Sequence, residues 1–478
     1  MSVASPPPAL VSAIEEPSVP GTSAKYLHGR PWRGYLTWYL FAALPIFALW
    51  GAMLGIVLPN HVQMIEFSRW FTGADAGANL VELQALKAQV DAGEINPTAD
   101  QSRLLNLLAQ FDASRAQSLS IVTSIGVFVT MLVQPVAGVL SDRTRSRWGR
   151  RAPWMAGGAI AGALALVALR YSTTIALLIL FWSLAQLLLN VVQGPLTATV
   201  ADRVPSQKLG VASSITGLAG MLGAVLGSVA AGILFGMIQL NTYLVFAIVI
   251  LVFIAVFILR VPDRSSRDLE VEPISWSGFF KSFLIPLKDG DYRWVWVAKV
   301  VMMFGYGTTT AFGFFMLQSY VQPALSAAEA TALAPIMGLA GVPGMLISMA
   351  VVGKWSDKIQ RRKPFVFWTS VLLAASMVIP LVSPTVPGLI AQSVVAGFAF
   401  GAYLVVDQAL FIDVIVDKRN AGRDLGMSAL GGNLGQALGP ILAGVLVAAA
   451  GGYGIVWIVA IPIVLVAAAA ILPVKRAR

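Results

Sequence analysis

The sequence predicts an all-α membrane fold, about twelve spanning helices in two similar six-helix halves, on three observations. Charged residues make up 12% of the 478 and hydrophobic ones 57%, whereas a soluble globular chain carries about 25% charged residues. That leaves too little charge to cover a water-facing surface. Apolar residues recur in runs of about twenty, the length that crosses a hydrocarbon core at 1.5 Å rise per residue. Finally, landmarks of the first half return in the second at a nearly constant spacing.

Taken in order, residues 1–33 carry Pro6-Pro7-Pro8 and Glu15-Glu16 and lack the apolar stretch of a signal peptide. They are expected to form a disordered cytoplasmic tail. Spans are expected near 34–58, 118–141, 153–170, 175–200, 209–236, 242–261, 294–320, 331–353, 364–383, 387–412, 425–449 and 452–473. The expected divisions are an N-terminal bundle over 34–261, a cytoplasmic linker over 262–293 and a C-terminal bundle over 294–478. With the N-terminus inside, the inner segments hold 27 of the 33 Lys and Arg residues. Basic residues enrich cytoplasmic loops, so both termini are expected in the cytoplasm, with the chain multi-pass in the plasma membrane. The net charge of +10 is then an orientation signal and needs no nucleic-acid partner. No cysteine is present, which excludes disulfide and thiolate chemistry.

Two segments interrupt the pattern. An extracytoplasmic insertion, 60–117, places Leu80, Leu83, Lys87 and Val90, then Leu104, Leu108 and Phe111, at helical spacing. Amphipathic helices over the outer mouth are expected, either as a plain cap or as a gate or partner site. In the linker, Trp276, Phe279, Phe280, Phe283 and Leu284 with Lys281 and Lys288 predict a short helix lying on the membrane surface.

The internal repeat is specific. Gly138-Val139-Leu140-Ser141-Asp142-Arg143 leads to Arg150-Arg151-Ala152-Pro153-Trp154, and Gly353-Lys354-Trp355-Ser356-Asp357-Lys358 leads to Arg361-Arg362-Lys363-Pro364-Phe365, with the Ser-Asp pairs 215 residues apart. Gln193 and Asp407 open matching segments 214 apart, and Gly210 and Gly426 lie 216 apart. A duplicated six-helix unit of this kind binds its solute at the repeat interface near mid-membrane. The Gly-x-x-Ser-Asp-Arg run with its Arg150-Arg151 cluster resembles the signature loop of the major facilitator superfamily. Its expanded form, Ser141 to Arg151, and Ala201-Asp202-Arg203-Val204-Pro205 are similar to the glycoside–pentoside–hexuronide cation symporters and the sucrose-transporter-like group. Two features depart from relatives. Residues 118–141 contain no acid, unlike the cation-binding second helix of melibiose-type members. The fifth span has no Gly-Pro, and its glycines (Gly217, Gly220, Gly223, Gly227, Gly232), like Gly435-x-x-x-Gly439-Pro440, suit close helix packing.

The resemblance implies gating by Gly138, Asp142, Arg143, Arg150 and Arg151, and by Asp357, Arg361 and Arg362 in the second half. An acid at a span end can latch onto a helix N-terminus or an arginine in one conformation only, or can be a solvated turn. In that fold the first, fourth, seventh and tenth spans line the central cavity. The fourth carries Trp182, Gln186, Asn190 and Gln193 on one face, the seventh Tyr306 and Thr310, the tenth Gln392 and Tyr403. Amides and hydroxyls beside aromatic rings suit a polyhydroxylated ligand; interhelical hydrogen bonding is the other use open to them. Lys299 and Asp407 are opposite charges about 8 Å deep at one level, costly unless paired or functional. They are expected to couple proton uptake to bundle motion; the other reading open to them is that Lys299 snorkels to the cytoplasm along its aliphatic stem while Asp407 reaches water in the cavity.

The expected function is therefore secondary active transport of a small polar solute, a sugar or glycoside, by alternating access with proton coupling; a proton-coupled exporter of drugs or metabolites is the alternative. Its partners are that solute, H+ and membrane lipids, and the expected state is a monomer. No catalytic residue, cofactor or metal is expected. With His28 and His61 as its only histidines, the chain cannot hold a His-Glu-x-x-His site, and no P-loop run occurs.

Overall fold

The computed structural model describes residues 30–205, 208–263, 265–269, 271, 275–359, 361–415 and 421–476. Residues 1–29 of the expected tail lie outside them, and 30–33 already belong to the first helix. Every regular element among the described residues is helical. The first half comprises α1 (Arg30–Ala52), a π-helical turn at Met53–Val57, α2 (Leu58–Trp70), α3 (Leu80–Asp91), α4 (Ala99–Asp142), α5 (Ala152–Arg170), α6 (Ile175–Arg203), α7 (Leu209–Ile238) and α8 (Thr242–Arg260). After α9 (Trp276–Phe283) come α10 (Gly290–Thr310), α11 (Gly313–Ser319), α12 (Ala327–Ile359), α13 (Lys363–Ser376), α14 (Ile379–Val382), α15 (Val386–Val414), α16 (Ala421–Ala450) and α17 (Gly454–Ala470).

Nine stretches among the described residues are long and apolar enough to cross a membrane. One of them, Val211–Arg260, holds both α7 and α8. Fifty residues would reach about 75 Å, and the chain breaks at Gln239, a non-glycine residue at φ 48°. With α10–α11, bent by 40°, and the shorter apolar α17, the spans number twelve among the described residues. The first runs on past residue 58, because α2 buries Asn60, His61, Gln63 and Glu66 against protein. A helix that faces protein can continue while its hydropathy falls, so hydropathy alone stops too early.

The two halves repeat one packing scheme. α1 packs on α7, α4 on α6, and α5 on α6 and α8; in the second half α10 packs on α16, α12 on α15, and α13 on α15 and α17. Glycines permit the closest of these crossings. A Cβ at Gly51 would lie 1.8 Å from the Ala224 carbonyl oxygen and one at Gly227 1.9 Å from that of Ala48, so α1 and α7 meet backbone to backbone. Gly435 and Gly439 do the same for α16 against α10, at 2.4 Å from Val300 O and 2.6 Å from Gly307 C. Without a hydrophobic drive between helices in lipid, such close contact supplies the association.

In the insertion, Leu104, Leu108 and Phe111 do not form a separate helix. They belong to the 44-residue α4, which starts at a capping box between Thr98 and Gln101 and runs unbroken into the second span. A small core of Phe71, Leu83, Leu108 and Phe111 holds α3 to it. Arg103 staples the rim by donating to both oxygens of Asp75 at 2.7 and 2.9 Å, which holds that carboxyl below the usual carboxylate range. In the linker, α9 is capped by Ser275 and stacks Trp276, Phe279, Phe280 and Phe283 edge to face.

Candidate functional site

The halves meet through α4 on α16 and α7 on α12, and the hydrogen bonds that join them cluster at the end carrying the insertion. Asn60 donates to Thr331 at 3.2 Å, Gln63 to Gln318 at 2.9 Å, and Ser120 to the Pro440 carbonyl at 2.7 Å. Arg115, 1% exposed, is the hub. It pairs with Asp112 at 2.7 Å, donates to Gln63 at 2.9 Å and to Ser319 of α11 at 2.5 Å. Its guanidinium sits 4.8 and 4.6 Å from the Phe111 and Phe315 rings. Gln84 of the insertion donates to Asp112 and to Ser319, at 3.0 and 2.9 Å. Sequence reasoning missed this cluster. Its only signal was Asp112 and Arg115 at i, i+3 beside Phe111, in a segment that reads as solvent-exposed.

The opposite end carries the basic loops. Asp142 pairs with Arg151 at 2.5 Å and Arg150 at 3.6 Å. Both arginines also hold Asp202, at 3.1 and 2.6 Å, and Arg151 donates to Ser141 at 2.7 Å. The second half repeats the arrangement: Arg362 holds Asp357 at 2.6 Å, Asp413 at 3.5 Å and Ser356 at 2.5 Å. Asp142 and Asp357 stay half to two-thirds exposed, each tied to its own half. Arg143 is engaged, Arg361 is exposed, and a Cβ at Gly138 would meet open space. Asp202 and Asp413, absent from the expected set, are 211 residues apart, the spacing of Arg151 and Arg362.

Between these ends the predicted charge pair is formed. Lys299 Nζ of α10 lies 2.8 Å from Asp407 Oδ2 of α15, with side chains 13% and 3% exposed. Lys299 also donates to Ser428 of α16 at 3.0 Å and lies 5.0 Å from the Phe411 ring. Tyr403, expected to face a ligand, instead donates to Asp407 Oδ1 at 3.2 Å. A buried ion pair repays its desolvation only when further bonds satisfy both partners; Tyr403 and Ser428 provide them.

The four residues expected on the cavity face of the fourth span turn to neighbouring helices. Asn190 accepts from Gln134 at 2.9 Å and donates to Thr130 at 2.9 Å; Gln186 accepts from Thr130 at 2.9 Å. Gln193 accepts from Trp50 at 2.8 Å, and Trp182 stands edge-on to Trp50. Gln186 and Asn190 are satisfied between α4 and α6 and Gln193 between α1 and α6, the cheaper solution for polar groups in an apolar medium. Thr130 and Gln134 on α4 share the i, i+4 spacing of Gln186 and Asn190, and that match was the overlooked signal.

A cavity of about 390 Å³ lies instead among the π-helical turn, α2, α7, α10, α11, α12, α15 and α17. Tyr306, Thr310 and Gln392 line it as expected; Phe400 and Trp457 join them, and none of the four α6 residues does. Tyr306 and Phe400 stack with centroids 4.0 Å apart and planes at 8°. Phe400 stacks on Tyr403 at 6.4 Å. A continuous chain of contacts therefore runs from the cavity wall through Phe400 and Tyr403 to Asp407 and Lys299.

Two six-helix units around an interface cavity, with matched acid–arginine clusters at one end, define a polytopic solute transporter and not an enzyme. Residues 103–350 and 325–478 match the Major Facilitator Superfamily, and the chain belongs to that family. Over 93% of its length it superposes on the whole chain of the nucleoside transporter NupG with a TM-score of 0.65 at 15% identity. A point mutant of NupG gives 0.63 at 14%, covering 92% of this chain and 99% of that one. These likenesses are of fold. A 43-residue stretch is 58% identical to the uncharacterized symporter sll1374 of Synechocystis sp., covering 9% of this chain and 8% of that relative.

Proposed function

We propose that the chain is a proton-coupled secondary transporter that carries a sugar or glycoside across the plasma membrane. It works as a monomer, with both termini and the basic loops in the cytoplasm. The observation that carries this reading is the buried Lys299–Asp407 pair, joined by contact to the wall of the cavity. Protonating Asp407 removes the ion pair, while Ser428 and Phe411 still hold Lys299. The carboxyl's other partner, Tyr403, packs on Phe400, so a change of charge at Asp407 and a change of ligand at Phe400 act on one element. Coupling needs such a shared element with two arrangements. The bonds at the insertion end support an inward-facing state, and the acid–arginine clusters act as latches that exchange partners when the bundles rock.

The test is uptake into proteoliposomes, with and without a pH gradient, of a panel of mono- and disaccharides, glycosides and nucleosides. Nucleosides are included because the Tyr306–Phe400 stack and the likeness to NupG favour an N-glycoside as the second reading. Gradient-driven accumulation is expected for the wild type. Asp407→Asn should abolish accumulation while leaving solute exchange, which moves no net proton. Accumulation at the wild-type level in that variant refutes the coupling role, and depletion driven by the gradient makes the chain an exporter.

A further inference from the structure

The two helices that carry the buried charge pair belong to different packing groups. α10 packs chiefly on α16 and α17, and α15 chiefly on α12 and α13. Three side-chain rungs bridge α10 to α15: Tyr306 on Phe400, Lys299 to Asp407, and Tyr292 edge-on to Phe411 with ring centroids 5.4 Å apart. Tyr292 also donates to the Asp424 carbonyl of α16 at 2.5 Å. The separation of Lys299 from Asp407 is therefore set by a few bridges and not by continuous helix packing.

Beyond the last rung, the stretch that follows α17 crosses the basic-loop end of this bundle. Asp291, in the first turn of α10, accepts the backbone N–H groups of Lys475 and Arg476 at 3.0 and 2.9 Å. The Lys363 ammonium, at the start of α13, donates to the carbonyl of Leu472 and to that of Val474 at 3.0 Å. The Arg476 guanidinium donates to Asp289, the N-cap of α10, and at 3.5 Å to the carbonyl of Val414, where α15 ends. Its planar fork presents donors in several directions, so one side chain spans the ends of α10 and α15. Val414 lies seven residues from Asp407 and Asp289 ten from Lys299, about 10 and 15 Å along the two helices.

We infer that Arg476 is a positioning residue for the Lys299–Asp407 pair, bridging the ends of α10 and α15 so that ammonium and carboxylate meet within hydrogen-bond reach. The inference rests on the coupling role proposed above for that pair and adds what holds it in place. A buried ion pair repays its desolvation only in good geometry, so a small splay of the two helices weakens it. Arg476 itself is 47% exposed, and an exposed ion pair contributes little stability. Its removal therefore changes where α10 and α15 stand more than whether the bundle folds.

Two measurements on the full-length protein in nanodiscs test this, and neither needs the transported solute. Spin labels at Arg293→Cys on α10 and Ile412→Cys on α15, both exposed, report the separation of the helices. The rate at which acetic anhydride acetylates Lys299, read by mass spectrometry, reports how firmly its ammonium is paired. Arg476→Ala is expected to add a longer distance at an unchanged melting temperature. It should also raise the Lys299 rate about three- to fivefold, the size of effect a partly exposed ion pair can supply. In an Asp407→Asn background, where the pair is already broken, Arg476→Ala should raise the rate no further. Should Arg476→Ala fail to fold, Asp289→Asn keeps a good N-cap while removing the charge at one end of the bridge, and the same two changes are expected. An unchanged distance distribution or an unchanged Lys299 rate overturns the inference. Full restoration by Arg476→Lys, which keeps the charge without the fork, overturns the bridge as well. Wild-type accumulation in Asp407→Asn instead overturns the coupling reading, and leaves the distance and the Lys299 rate as they are.

Discussion

Ser319→Ala isolates the bonds that close the insertion end without touching the buried Arg115–Asp112 pair. The Ser319 hydroxyl accepts from Arg115 at 2.5 Å and from Gln84 at 2.9 Å, and lies 3.4 Å from Asp112. It is the point where α11 of the second half meets both α4 and the insertion. A hydrogen bond from a charged donor contributes about 1.5–3 kcal/mol and a neutral one about 1 kcal/mol. In the opposite conformation the groups separate and regain water. A net loss of about 2 kcal/mol is therefore expected for the closed arrangement alone, which shifts the equilibrium about 30-fold toward opening at that end. With no native cysteine, spin labels at Glu94→Cys and Ala328→Cys, both exposed, report the opening as a second, longer distance. Gln84→Ala should shift the distribution the same way, and the double variant should add less than the sum of the two, because they share an acceptor. An unchanged distance distribution in Ser319→Ala would refute the clamp, and additive effects would refute the shared acceptor.

Three further outcomes are expected. Asp142→Asn should leave thermal stability within about 1 kcal/mol, since a half-exposed ion pair contributes little and Asp202 still holds both arginines; transport should slow and the two conformations should redistribute, and normal transport with an unshifted distribution removes the latch. Gln186→Ala and Asn190→Ala should each destabilise the fold by about 1–3 kcal/mol by stranding a buried partner, seen as a lower melting temperature with unchanged solute affinity; lost affinity at an unchanged melting temperature would return them to the binding site. Arg147→Cys should resist an impermeant thiol reagent in intact spheroplasts while Glu94→Cys reacts, and the reverse pattern overturns the orientation. Both positions are exposed, whereas Ser356 is 1% exposed and would be silent from either side.

Much of the fold was determined by the sequence alone, because lipid imposes simple demands. Runs of apolar residues and the 215-residue repeat define the spans and halves without knowledge of any contact. Lys299 and Asp407 were legible as a pair for the same reason: two isolated opposite charges at one depth have few other solutions. Tertiary structure decided which polar residues face a neighbour and which face a cavity. Helical periodicity places Gln186, Asn190 and Gln392 each on a face, but it does not say what stands opposite. Thr130, Gln134 and Trp50 stand opposite the α6 face, while Gln392 has no hydrogen-bond partner among the described residues. The insertion-end clamp was hidden for a related reason. Arg115, Asp112 and Gln84 come from a stretch whose composition reads as exposed, and only the arrival of α11, more than 200 residues later in the chain, buries them.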